Sequence, residues 1–167
     1  MAREGAIGIN DESELKPFSW RVAILPFIEQ QKLFEQYRFD EPWDSEANLK
    51  LLPKMPSIYR RPDAPEDQPV GHANYQGIAD GGSALGIDDG VKFRDIRDGT
   101  SNTLLILETE SAVPWTKPQD LSELPKFADD AVLRYLMADG SVRTMDPVDE
   151  EKLKALITRD GGERIEP

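Results

Sequence analysis

A chain of 167 residues is long enough to bury a core of its own, and a 31% charged content balanced by 38% apolar residues excludes global disorder. A net charge of −12 argues against binding a phosphate backbone or anionic lipid, because the chain's field repels both. The absence of cysteine excludes disulfides, thiolate catalysis and cysteine-ligated zinc. No stretch is long and apolar enough to read as a transmembrane helix. The opening MAREGAIGIN lacks the apolar centre of a signal peptide, so the chain is either cytosolic or begins after a targeting segment that has been removed.

In chain order, residues 1–16 read as a flexible lead-in, with at most a short strand at Ala6 to Ile9, and residues 17–167 as a single domain. Phe18, Val22, Leu25, Ile28, Leu33 and Tyr37 recur at mostly helical spacing. Pro26 falls inside this stripe and removes a helical hydrogen bond, which predicts a kinked helix or two helices meeting at Leu25-Pro26. A short helix follows, with Asp44 or Ser45 as its cap and Pro53 and Pro56 closing it. Ile58 to Arg60 reads as a short strand, Arg61 to Gly71 as a proline-rich surface loop, and Ala73 to Ala79 as a strand.

Beyond the loop Asp80 to Gly90, the turn Asp98-Gly99 precedes Thr103 to Thr109, a nearly continuous apolar run expected to form a strand buried on both faces. Ser111 to Phe127 reads as irregular, with Trp115 between prolines as a loop anchor tucked onto the sheet. Ala131 to Met145 carries the strongest local signal: β-prone residues either side of Asp139-Gly140, the pattern of a type I′ hairpin with positive φ at both central residues. Pro147 at a first helical position predicts a C-terminal helix with Leu153, Leu156 and Ile157 buried, ended by Gly161-Gly162. The class is therefore α+β.

Candidate chemistry is sparse. The glycine-rich loop Asp80 to Gly90 offers Asp80, Asp88 and Asp89 as hard oxygen donors, a candidate calcium site, although it has neither the EF-hand pattern nor a phosphate-loop motif. No other cofactor is expected. His72, the single histidine, is a general base in principle, but its place beside a proline-rich loop reads as solvent-facing or locally bonded. Ser101 and Ser141 occupy turns, and neither lies in Gly-x-Ser-x-Gly. Glu108 and Glu110 share one face of a strand about 7 Å apart, a weak carboxylate pair for hydrolysis. Arg60-Arg61 and Arg94/Arg97 read as locally paired residues in an acidic chain.

Six segments in order carry a resemblance: Ser19 to Gln36 (SWRVAILPFIEQQKLFEQ), Asp40 to Leu52 (DEPWDSEANLKLL), Arg94 to Glu108 (RDIRDGTSNTLLILE), Val113 to Leu121 (VPWTKPQDL), Ala138 to Arg143 (ADGSVR) and Leu153 to Glu163 (LKALITRDGGE). Together they resemble the pseudopilin-like family of unknown function that is greatly expanded in planctomycetes. The resemblance implies an antiparallel-sheet head with an N-terminal kinked helix and a C-terminal helix. Members typically begin with a prepilin-type cleavage and methylation segment and a long apolar helix, which this sequence lacks before Ala6. The implied parent is membrane-tethered and extracytoplasmic or at the cell surface, with the membrane reached only through that helix. No catalytic residues come with the resemblance, since the family has none established.

The resulting expectation is a non-enzymatic head of a pilin-like (type II secretion pseudopilin-like) surface or secretion-associated protein. Its partners would be protein subunits of a pilus-like or secretion assembly, not nucleic acid. Trp20, Trp43 and Trp115 would anchor the fold, and Gly99 and Gly140 would make its turns. The alternative expectation is an extracytoplasmic carbohydrate- or calcium-binding module, using the Asp80 to Gly90 loop and exposed aromatics such as Trp43 or Trp115.

Overall fold

Two buried apolar clusters organise the chain. In this computed structural model residues 15–79, 82–85, 91–128 and 130–162 are described. The chain divides into two compact units, Met1–Asn74 with Ser111–Gln119, and Tyr75–Glu110 with Asp120–Pro167.

In the first unit the apolar stripe from Phe18 onward breaks into single turns: α1 (Trp20–Ala23), a 3-10 turn (Leu25–Ile28) and α2 (Gln31–Phe34). This is more broken than a kinked helix or a helix pair. Pro26 lies in the first turn of the 3-10 segment, where its missing N–H costs nothing. Glu29 then adopts a left-handed φ of 61° and stops the turn. Helical spacing nevertheless does its work, because Val22, Leu25, Leu33, Phe34 and Tyr37 all reach the buried cluster that contains Leu51, Tyr59, Ala73 and Trp115. Ser45, rather than Asp44, caps α3 (Glu46–Leu49) by accepting from the Asn48 N–H. The expected strand at Ile58 to Arg60 is instead a 3-10 turn, Ser57–Tyr59. Pro56 starts it, the Tyr59 N–H closes it onto the Pro56 carbonyl, and the Tyr59 ring is thereby turned into the core.

The sheet has four strands in the order β1 (His72–Gly77), β2 (Leu104–Pro114), β3 (Leu133–Met137) and β4 (Val142–Met145). The β2–β3 and β3–β4 pairs are antiparallel. With its few helices this gives the expected α+β class. β2 runs five residues beyond Thr109, so the start of the stretch expected to be irregular is strand. It ends at Pro114, which has no N–H to continue a ladder. Beside β1, Leu121 forms a parallel bridge with Ile78, and the Asp120 carboxylate accepts from the Gly77 N–H at 2.9 Å.

Leu133, Tyr135 and Met137 alternate with Arg134 and Leu136 along β3 and point into the second cluster, with Leu104 and Leu107 of β2 and Met145 of β4. Helix α4 (Glu150–Ile157) closes this cluster with Leu153, Leu156 and Ile157. It begins later than Pro147 suggests. Asp149 is the N-cap, its carboxylate accepting from the Glu151 and Lys152 N–H groups at 3.0 Å, so Pro147 lies outside the helix. The helix gives way at Thr158, ahead of the glycine pair.

The hairpin forms at Asp139-Gly140 with a different turn from the expected one. Leu136 pairs with Val142, the Met137 N–H donates to the Ser141 carbonyl, and the Gly140 N–H donates to the Met137 carbonyl. Of the two central residues only Gly140 has positive φ, 87°. This is the three-residue connection with a left-handed residue last. The Asp139 carboxylate, free of the backbone strain expected for it, accepts from the Ser141 N–H and hydroxyl at 2.8 and 2.7 Å.

Two glycines are therefore expected to resist substitution. Gly140→Val places a β-branched residue at positive φ, costing about 1–2 kcal/mol, and Asp139→Ala in the same chain removes the side-chain brace. Gly71 has φ +75°, and a Cβ there would lie 2.5 Å from the Leu52 carbonyl oxygen. Gly71→Ala should cost roughly 3 kcal/mol from left-handed strain plus overpacking. Urea unfolding monitored by tryptophan fluorescence checks both; midpoints equal to that of the parent would refute these assignments.

Candidate functional site

The most developed polar constellation lies on the face of the sheet away from the α4 core. Glu108 on β2 accepts from the Tyr75 hydroxyl at 3.2 Å and from Arg134 Nη1 at 2.9 Å, so one carboxylate ties β1, β2 and β3 together. Its side chain is 10% exposed, against 53% for Arg134. Burial of this degree strengthens the pair beyond a fully solvated one. Glu110, two residues along the strand, is exposed. The two carboxylates are thus unequal: one is held between a phenol and a guanidinium, the other faces solvent. On the opposite side of β2, Thr109 accepts from the Gln76 side-chain amide at 2.9 Å, a buried polar rung.

A second constellation joins the two Asp-Gly turns. The Asp139 N–H donates to the Thr100 carbonyl and the Ala138 N–H to the Thr103 carbonyl. The Ser141 hydroxyl, which bonds to Asp139, and after it the Ser141 N–H, hold the Asp139 carboxyl below the ordinary carboxylate range. Asp98 Oδ2 and Oδ1 accept from the Gly161 and Gly162 N–H groups at 2.8 and 2.9 Å. Ser101 is exposed in its turn, as expected of a turn residue.

Asp80, Asp88 and Asp89, the candidate calcium donors, lie outside the described residues. Among the described residues no group of three or more His, Cys, Asp or Glu side chains could hold a metal. The half-buried His72 has Nδ1 3.2 Å from the Val70 carbonyl oxygen. Arg61 pairs with Asp63 at 3.1 Å and Arg94 lies 3.8 Å from Asp95, while Arg60 donates to the Pro65 carbonyl. Trp43 is half-buried, with the Lys117 ammonium 5.5 Å from its ring centroid. Trp115 is not the exposed aromatic that a ligand platform requires. It is fully buried, stacked on Tyr59 at 6.3 Å between ring centroids.

The residue that sequence patterning misses is Arg21. It sits between Trp20 and Val22 in the apolar stripe and is 0% exposed. Its guanidinium carbon lies 4.6 Å from the Trp20 ring centroid, Nη1 donates to the Ser19 hydroxyl at 3.0 Å, and its carbonyl accepts from the Tyr59 hydroxyl at 2.7 Å. The available signal was positional: a cation at a core position of a helical stripe. Burial raises the Tyr59 phenol well above its ordinary range, with Arg21 partly opposing the shift. Tyr37 rises to about 12, from burial and then from the negative charge of Asp44.

A model of the SBP_bac_10 family, described as protein of unknown function (DUF1559), matches residues 2–86 and 69–132, together spanning most of the 167 residues. The chain belongs to the DUF1559 family. That description brings no activity with it, so DUF1559 membership leaves the chemistry to the geometry above. No curated protein and no solved structure matches the chain.

The two phenols yield a pH prediction. Their folded pKa values lie above the unfolded value near 10, so their contribution to stability is complete below about pH 10 and is lost as pH rises, through about 12 for Tyr37 and still higher for Tyr59. Unfolding free energy measured from pH 9 to 11 should fall, and Tyr37→Phe should make the fall shallower. An unchanged slope in that variant would show that Tyr37 ionises freely in the folded chain.

Proposed function

We propose that this DUF1559 chain is a non-catalytic contact module, the head of an exported, pilin-like protein of the type II secretion pseudopilin kind. In this role it acts at the cell surface or in a secretion assembly through contacts with protein subunits or another ligand. The observation that carries the proposal is the employment of its acids. Glu108, Asp98, Asp120, Asp139 and Asp149 each accept hydrogen bonds from the chain itself, bracing strands, loops and a helix start. A general acid or base has to present its carboxyl to a substrate, whereas these are spent on backbone and neighbouring side chains. The ordered segments from Ser19 to Glu163 support the same reading through their resemblance to pseudopilin-like heads.

The test is cellular. The natural gene product, tagged at its C-terminus, is expected in the envelope fraction of its own cells, digestible by protease added from outside, and absent from glycan- and peptide-hydrolysis screens. A product confined to the cytosol would overturn the proposal. The carbohydrate- or calcium-binding alternative loses Trp115 and keeps Trp43 with Asp80, Asp88 and Asp89. Calorimetry with calcium, on the parent and on Asp88→Ala with Asp89→Ala, separates the two: heat lost in the variant favours the alternative, and no heat in the parent removes its metal component.

A further inference from the structure

Five of the twelve glycines follow an aspartate: Gly81, Gly90, Gly99, Gly140 and Gly161. In an Asp-Gly pair no Cβ hinders the glycine amide nitrogen from reaching the aspartate carboxyl carbon. Its attack forms an N–Cγ bond, and the amide proton leaves with a carboxyl oxygen as water, giving a five-membered succinimide. Water then opens the ring at either carbonyl and returns aspartate or isoaspartate, the latter with one more carbon in the backbone. One water is released and one consumed, so no oxidant or cofactor is needed. The amide must surrender its proton, which makes an N–H fixed in a short hydrogen bond a poor nucleophile.

We infer that Asp160 is a latent site of isoaspartate formation and that Asp98 guards it. The Gly161 N–H, the attacking group for Asp160, donates to Asp98 Oδ2 at 2.8 Å, and Gly162 donates to Oδ1 at 2.9 Å. The residue before Asp160 is pinned as well. The Arg159 carbonyl accepts from the Asp98 N–H at 3.1 Å, its own N–H donates to the Gly82 carbonyl at 3.0 Å, and Nη1 donates to the Ser83 carbonyl at 2.7 Å. Both neighbours of Asp160 are therefore held while its own side chain is exposed. At the Asp139-Gly140 pair the attacking glycine N–H and the carboxylate make no bond to Asp98: the N–H donates to Met137 and the carboxylate accepts from Ser141, while the Asp139 N–H donates to the Thr100 carbonyl, a backbone bond that Asp98→Ala does not remove. Asp139 thus serves as an internal reference.

The full chain, and its Asp98→Ala variant, is incubated at neutral pH and 37 °C, and isoaspartate is located by mass spectrometry of gently digested protein. The variant should form isoaspartate at Asp160 roughly tenfold faster than the parent, the factor for opening one charge-assisted hydrogen bond before reaction, with the rate at Asp139 unchanged. No rise at Asp160, or an equal rise at both sites, would overturn the inference. A second measurement needs no variant. Parent protein in native buffer should modify Asp160 roughly tenfold more slowly than the same protein in urea. Equal rates would show that the folded chain gives that bond no protection.

Discussion

Irregular backbone has to find partners for its N–H and C=O groups, and in this protein side-chain oxygens supply many of them. Helices α1, α2 and α3 have four residues each, too few for an internal hydrogen-bond ladder of any length. Ser19, Ser45 and Asp149 cap turns, and Asp120 stands in for a strand partner at Gly77. Asn48 is the fullest case. Buried at 0% exposure, its amide accepts from the Arg38 N–H and donates to the Arg38 and Pro42 carbonyls, holding a loop in the manner of a short strand. Removing such a group leaves buried backbone unpaired, a larger penalty than the loss of one solvent-facing bond.

The same constraint explains the composition. An excess of acid looks, in a sequence, like a field offered to cations. In the structure several of these carboxylates are short-range tools: an N-cap on α4, a brace in the hairpin, a clasp on two glycine amides, a junction between strands. Function argued from net charge alone would have missed this, because charge counts carry no information about which oxygens are already bonded.

What was legible in the sequence follows from how local the cause is. The hairpin, β1, the core of β2 and the buried stripe of α4 rest on neighbouring residues and were readable. The turn at Asp139-Gly140 was found with the wrong geometry, since one glycine at positive φ serves both the expected two-residue turn and the observed three-residue one. Helical spacing at Phe18 to Phe39 identified the buried residues and overstated the helix, because a 3-10 turn and a left-handed Glu29 preserve the facing of side chains while ending the ladder. Ile58 to Arg60 reads as a short strand, and Pro56 instead starts a 3-10 turn there. The roles of Arg21, Asp98 and Glu108 depend on partners far off in sequence, where patterning has no reach, and that of Asn48 on an irregular loop six to ten residues before it, which has no period to read.

β2 also carries a change of phase. Leu104 pairs with Met137 and Ile106 with Leu136, so Leu105 is surplus to the ladder. Leu104 and Leu107 both reach the core although they lie three positions apart, an odd offset that a regular strand puts on opposite faces. The residues before and after this point are written in two different alternations, spliced at Leu105. Shortening the strand by one residue at the splice leaves every other side chain on its present face. The same deletion a few positions further along would set the remaining strand out of step with β3, so β2 of this chain has one address that tolerates a change of length.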